Sequence, residues 1–392
     1  MSIRMNTTEA KFKSVIQNIQ KMFGNDEFIP LHAPVFMGNE KKYLNDCIDS
    51  TFVSTVGEYV TRFEKMISDF TGAKYAIATT NGTSALHVAL LLLGVDDQCE
   101  VLTQALTFVA TANAISYCKA KPVFIDSDKE NLGMSSISLQ EFLDRFAVMR
   151  DDGYCYNKIS DKKIKACVPM HTFGHPVKID VIKNICLKYN IALVEDSAES
   201  LGSYYKRVHT GLYGDLGILS FNGNKTITTG GGGMIITNDE TLAKRAKHIT
   251  TTAKVPHPFE FYHDEIGYNY RLPNINAALG CAQMEKLPEF LANKRETAQE
   301  YIGLFDALEM HFVREPQNTE ANYWLNAVLL KNKEERDLFL EMTNKAGVMT
   351  RPAWKLMNEL PAFKECTFVS LDVAQDISNR LVNIPSSVRI KK

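Results

Sequence analysis

The chain has 392 residues, 45% hydrophobic and 23% charged, a balance that can bury a large core and that argues against disorder. At about 150 residues per domain, the length predicts two or three domains. Lys and Arg number 44 against 46 Asp and Glu, a formal net charge of -2. That balance offers no broad cationic surface to a nucleic-acid backbone or an anionic membrane, so any bound anion must be held by a local site. The eight cysteines contain no C-x-x-C pair, the closest two being Cys155 and Cys167, and the nine histidines lack an H-E-x-x-H spacing. No metal site is expected. Irregularly spaced thiols in a chain of this length fit a reducing, cytoplasmic setting.

In chain order, the N-terminal stretch is interrupted by Lys11, Lys13, Gln17 and Lys21, which excludes a secretory signal core. Phe12, Val15, Ile16, Ile19, Met22 and Phe23 fall on one helical face, with Asn6 placed to cap the helix and Gly24 to stop it. The longest apolar run, 85–94, contains His87 and is too short to span a bilayer. Strands are predicted over 73–79, 122–125, 164–169, 191–195 and 217–221, with helices over 84–93 and 179–189 between them. This alternation predicts a largely parallel sheet covered on both faces, with ligands collecting beyond the carboxyl ends of its strands. Four glycines at 230–233 then lead into a returning strand over 234–237, an Ala- and Lys-rich helix and an irregular stretch over 250–273. A long helix is expected from 276 to 305. The division is an N-terminal helical extension over 1–27, a large α/β domain over 28–280 and a small C-terminal α/β domain over 281–392.

Four loops carry candidate chemistry. In Thr80-Asn81-Gly82-Thr83-Ser84 a strand passes into the N-terminus of an apolar helix, where unpaired N–H groups and the helix dipole favour an anion. Gly82 admits close approach, while Thr83 and Ser84 add hydroxyls; capping alone would also account for them. Asp196, in Val194-Glu195-Asp196-Ser197-Ala198-Glu199, closes an apolar strand and can either pair with a cationic ligand nitrogen or cap the next turn. Lys225, in Ser220-Phe221-Asn222-Gly223-Asn224-Lys225, follows a strand and precedes the glycine turn, where a desolvated amine can become a nucleophile. The Gly267-Tyr268-Asn269-Tyr270-Arg271 loop reads as surface recognition or as a packed aromatic loop. A phosphate cradle, then a strand-end Asp, then a strand-end Lys is the order pyridoxal phosphate requires: phosphate on the helix, Asp at the pyridine nitrogen, Lys as the Schiff-base amine. Phe108 is available to stack on the cofactor ring, and a core Phe would look the same.

Taken together, the segments 57–64 (GEYVTRFE), 81–86 (NGTSAL), 107–114 (TFVATANA), 195–198, 220–225 and 267–280 resemble the DegT/DnrJ/EryC1/StrS sugar-nucleotide aminotransferases, over about 29–351. The resemblance implies the type I, aspartate-aminotransferase-like fold of pyridoxal-phosphate enzymes, with the cofactor cycling through pyridoxamine phosphate. It implies that Gly82, Thr83, Ser84 and Ser220 hold the cofactor phosphate, Asp196 meets the pyridine nitrogen, Phe108 covers the ring and Lys225 is the Schiff-base lysine. Asn269 is expected to reach the phosphate in a neighbouring subunit, which makes a homodimer with shared active sites. Glu199 stands beside the ring where relatives commonly carry Gln or His. The N-terminal helix, the Asn222-Gly223-Asn224 spelling and the Ser-Ala-Glu-Ser run resemble the branch that aminates C4 of UDP-linked 4-keto-6-deoxy-N-acetyl sugars, precursors of bacillosamine and legionaminic acid. L-Glutamate is the implied amino donor. Ser54, Thr55, Gly57 and Arg271 are candidate contacts to the nucleotide sugar, whose product would enter surface glycans. A dehydratase on the same scaffold would carry His at the lysine position, a non-catalytic regulator would not need both Asp196 and Lys225, and a Rossmann dehydrogenase would need a G-x-G-x-x-G that is missing after the first strand.

Overall fold

The computed structural model describes residues 2–24 and 27–390. The main sheet has nine strands, with Tyr75–Thr79, Gly233–Thr237, Leu216–Ser220, Ala192–Asp196, Lys163–Val168, Cys99–Gln104 and Lys121–Ile125 side by side in that order. From Leu216–Ser220 to Lys121–Ile125 each neighbouring pair is parallel, whereas Gly233–Thr237 runs antiparallel to both its neighbours. Both faces are covered, because adjacent side chains along a strand point to opposite faces. Ala78, Leu219, Met234 and Ile236 pack into a core with Phe63 and Phe290, while Ile77, Ile218 and Ile235 pack into another with Val88 and Leu90.

The Cys99–Gln104 strand was not predicted, although it lies inside the sheet and is buried throughout. The N-terminal helix runs over Ser2–Phe23, so Asn6 lies inside it and does not cap it, a correction to the expected start. Gly24 follows with φ of +60°, the left-handed conformation that ends helices. Asn25 and Asp26, at the expected end of the extension, lie outside the described residues. Phe12 meets Phe339 edge-on at 5.0 Å, so this helix packs on C-terminal material.

The long helix spans Asn274–Ala307, and the expected boundary at 280 falls within it. Its first half enters the large-sheet core, and its last turns join Phe12, Phe339 and the smaller sheet of His311–Phe312, Asn326–Leu329, Leu381–Ile384 and Arg351–Pro352. Within the expected irregular stretch, Lys254–Val255 and Tyr262–His263 form a short antiparallel hairpin that leaves Phe259 and Phe261 exposed. Among the described residues no helix is long and apolar enough to cross a membrane, and all eight cysteines are free thiols.

Register sets the geometry of the sheet edge. Thr79, Gly233 and Ser220 stand in one row, and Ile218 pairs with Asp196, so Asn81, Gly82, Asp196 and Ser220 share the edge where the parallel strands end. Only a glycine fits at 233, because a Cβ there would lie 2.4 Å from the Asn81 carbonyl. Gly233→Ala is expected to cost about 1–3 kcal/mol by overpacking, read as a lower denaturation midpoint. An unchanged midpoint would show that the loop yields freely.

Candidate active site

The phosphate cradle is built by the Gly82–Leu92 helix, which starts directly after the Tyr75–Thr79 strand. Asn81 caps it, its Oδ1 accepting the Ser84 N–H at 2.7 Å. The amides of Gly82 and Thr83 donate to no acceptor among the described residues and remain available to an anion. Ser84 therefore offers its hydroxyl, which accepts from Thr80 Oγ1 at 3.3 Å, and not its amide. Gly82 lies against Ser220, where an added Cβ would meet the Ser220 Cβ at 3.0 Å. The two segments expected to share a phosphate are adjacent.

Asp196 ends its strand with 3% exposure. Thr111 Oγ1 donates to its Oδ2 at 2.8 Å and the Ala198 N–H to its Oδ1 at 3.2 Å, yet no cation forms an ion pair with it among the described residues. Burial pushes its carboxyl above the ordinary range, against the Thr111 and Ala198 hydrogen bonds and the Lys225 charge. A buried carboxylate held by neutral donors alone suits a cationic ligand atom such as a protonated pyridine nitrogen. Phe108 precedes the helix that carries Thr111; its ring is half-exposed, with the Trp354 ring 6.2 Å away.

Lys225 sits in the turn after the Leu216–Ser220 strand. Its Nζ is 3.3 Å from Glu199 Oε1 and 3.9 Å from the centre of the Trp324 ring. Glu199 is buried, and its Oε2 accepts the Phe173 N–H at 2.9 Å. Phe173 presents that N–H from a left-handed φ of 56°. Burial raises the Glu199 carboxyl, opposed first by the Lys225 charge. Trp324, Phe173 and Thr111 were not assigned roles in the sequence. Thr111 lies in a quoted segment, but nothing near Trp324 marks it, since its indole N–H reaches Asn224 O, 2.6 Å away, from 100 residues along the chain.

The expected substrate contacts divide. Ser54 and Thr55 are exposed, with the Ser54 carbonyl accepting the Asn274 N–H at 2.6 Å. Gly57 lies against the same residue, a Cβ there falling 2.2 Å from Asn274 Cγ. Asn269 is exposed and makes no hydrogen bond to Asp196, Glu199, Ser220 or Lys225 among the described residues. The Arg271 guanidinium turns inward, with Nη1 donating to Glu64 Oε1 at 2.7 Å and to Ala78 O at 3.2 Å, which ties its loop to the sheet edge.

The fold and this constellation suit an aminotransferase that uses pyridoxal phosphate. Helicobacter pylori PseC, an aminotransferase involved in pseudoaminic acid biosynthesis, superposes with a TM-score of 0.82 at 23% identity over 92% of this chain and 94% of that one. The Streptococcus pneumoniae sugar aminotransferase Spr1654, solved in apo, pyridoxal-phosphate and pyridoxamine-phosphate forms, gives 0.83 for the last at 21% identity, over 93% and 94%. Residues 36–392 match the DegT/DnrJ/EryC1/StrS aminotransferase family, and the chain belongs to it. GDP-perosamine synthase of Escherichia coli O157:H7 is 37% identical, over 92% of this chain and 93% of its own. EpsN of Bacillus subtilis, a pyridoxal phosphate-dependent aminotransferase by name, is 35% identical, over 91% and 90%.

Behind the site, Lys294 on the long helix is 1% exposed and donates to Ser386 O at 2.6 Å and Trp324 O at 3.2 Å, with His32 Nε2 at 3.0 Å. Burial brings its amine down to about 7. Between about pH 7 and 10 the unfolded chain thus binds a proton that the native protein does not, so this site's contribution to stability rises with pH across that window. Denaturation free energy measured against pH should climb by a few kcal/mol more in the parent than in Lys294→Met. Parallel curves would refute the assignment.

Proposed function

We propose that this enzyme transfers an amino group from L-glutamate to C4 of a nucleotide-linked 4-keto-6-deoxy sugar, with UDP-2-acetamido-2,6-dideoxy-hexos-4-ulose as the substrate, for surface glycan synthesis in the cytoplasm. The observation that carries the reading is Lys225 Nζ held between Glu199 and Trp324 on the edge that also bears Asp196 and Gly82. Bound there, pyridoxal phosphate supplies an electron sink for the carbon that loses its proton. The amides of Gly82 and Thr83 and the hydroxyls of Ser84 and Ser220 would hold its phosphate. Asp196 would keep the ring nitrogen protonated, and Phe108 and Glu199 would flank the ring. Lys225 Nζ would anchor the cofactor and, as a free amine, would take the proton from the α-carbon of glutamate and deliver one to C4 of the sugar.

The UDP reading rests on the resemblance of the N-terminal helix, Asn222-Gly223-Asn224 and the Ser-Ala-Glu-Ser run to one branch of the family. A GDP-linked 4-keto-6-deoxyhexose is the second reading, favoured by the similarity to the GDP-perosamine synthase of E. coli. Ser54, Thr55 and Gly57 are the proposed sugar-nucleotide contacts. A homodimer with shared sites is part of the proposal, with Asn269 reaching the partner's cofactor; the exposed Phe259, Phe261 and Ile266 support a partner surface there.

Assays with UDP-, dTDP- and GDP-linked 4-keto-6-deoxy sugars and glutamate are expected to give an amino sugar fastest from the UDP-acetamido substrate. Product mass separates amination from deoxygenation by its nitrogen, and a preference for the GDP sugar would select the second reading. Lys225→Ala should lower turnover roughly 10³-fold or more and lose the borohydride-fixed cofactor on the residue-225 peptide. Multiple turnovers by that variant would sink the assignment.

A further inference from the structure

Glu199 has one oxygen committed and one facing Lys225. Oε2 accepts the N–H of Phe173, a bulky residue held at a positive φ that side chains rarely adopt without compensation. Oε1 receives no donor but Lys225 Nζ, and Nζ donates to no acceptor but Oε1, among the described residues. The Trp324 ring lies 3.9 Å from Nζ, and its indole N–H is fixed on the Asn224 carbonyl. The charged groups around the pair come from three other elements. Asp196 at its strand end acts on both residues, while the Lys225 charge is felt at His32 on the N-terminal segment, beside Lys294 of the long helix. An ion pair so enclosed carries a large desolvation cost, and passing one proton across it removes both charges.

We infer that Glu199 is the proton partner of Lys225: it holds the free Nζ as an ammonium in the cofactor-free site, and its Oε1 takes one Nζ proton when the amine's lone pair is needed and later returns it. An N–H bond at Nζ breaks, an O–H bond at Oε1 forms, and no other electron pair moves. Burial pushes the Glu199 carboxyl up, which brings it toward a proton-accepting range.

This rests on the reading of Lys225 as the cofactor lysine. Glu199→Gln keeps the shape and the acceptor for the Phe173 N–H but removes the charge. In the full-length enzyme stripped of cofactor, acylation at residue 225 by an amine-selective reagent at neutral pH, read by peptide mass, is expected to quicken roughly tenfold in Glu199→Gln. In the holoenzyme, a single turnover with glutamate is expected to slow roughly 10²-fold. An unchanged acylation rate, or a single-turnover rate within about twofold of the parent, overturns the inference. Glu199→Asp, with its charge one methylene further back, should acylate at an intermediate rate, and it carries the same test should the Gln variant not fold. Borohydride-fixed cofactor on a lysine other than 225 would overturn the reading of Lys225 itself.

Discussion

The structure depends on keeping one amine and two carboxylates out of water without letting them cancel. Asp196 and Glu199 share with Lys225 a site in which burial disfavours both carboxylate charges, so each carboxylate survives only through fixed neighbours. Asp196 is held by the Thr111 hydroxyl and the Ala198 amide, and Glu199 by the Phe173 amide. Lys225 is held by Glu199, with an aromatic face beside it. Neutral donors at Asp196 leave its charge to be answered by a ligand, whereas at Lys225 a charged partner stands ready. That asymmetry separates the carboxylate suited to a cofactor nitrogen from the one suited to a proton.

Sheet, long helix and smaller domain all converge on this arrangement. Strand register puts Thr79, Gly233 and Ser220 in one row, which lets the Asn81 cap and the Gly82 amide meet the end of the strand that leads to Lys225. From the other side Trp324 arrives ahead of the Asn326–Leu329 strand, its carbonyl held by Lys294 and its indole by Asn224. The amine is thus contacted both by Glu199, just past a strand of the large sheet, and by Trp324, just ahead of a strand of the smaller one.

The groups proposed for the cofactor lie around strand ends and a helix N-terminus, the edge of an α/β sheet where ligands collect. Ser54, Thr55 and Asn269 lie on exposed loops, and the hairpin before Asn269 presents Phe259 and Phe261 outward.

The sequence by itself determined the α/β alternation, most strand ends and the order of cradle, Asp196 and Lys225, because apolar periodicity and helix-start chemistry are local. Two of its gaps share one cause: a polar residue can be buried when a partner distant in sequence satisfies it. The Cys99–Gln104 strand escaped because Glu100, Thr103 and Gln104 break its apolar pattern; in the fold Asn157, the Val168 carbonyl and Thr172 satisfy them. The inward turn of Arg271 is unmarked in the sequence because Glu64, its partner, stands 207 residues earlier. Phe173 and Trp324 carry no local mark of their place beside Glu199 and Lys225. Only the tertiary structure decided them, since hydrogen bonds and ring contacts between distant segments exist only once the chain has closed.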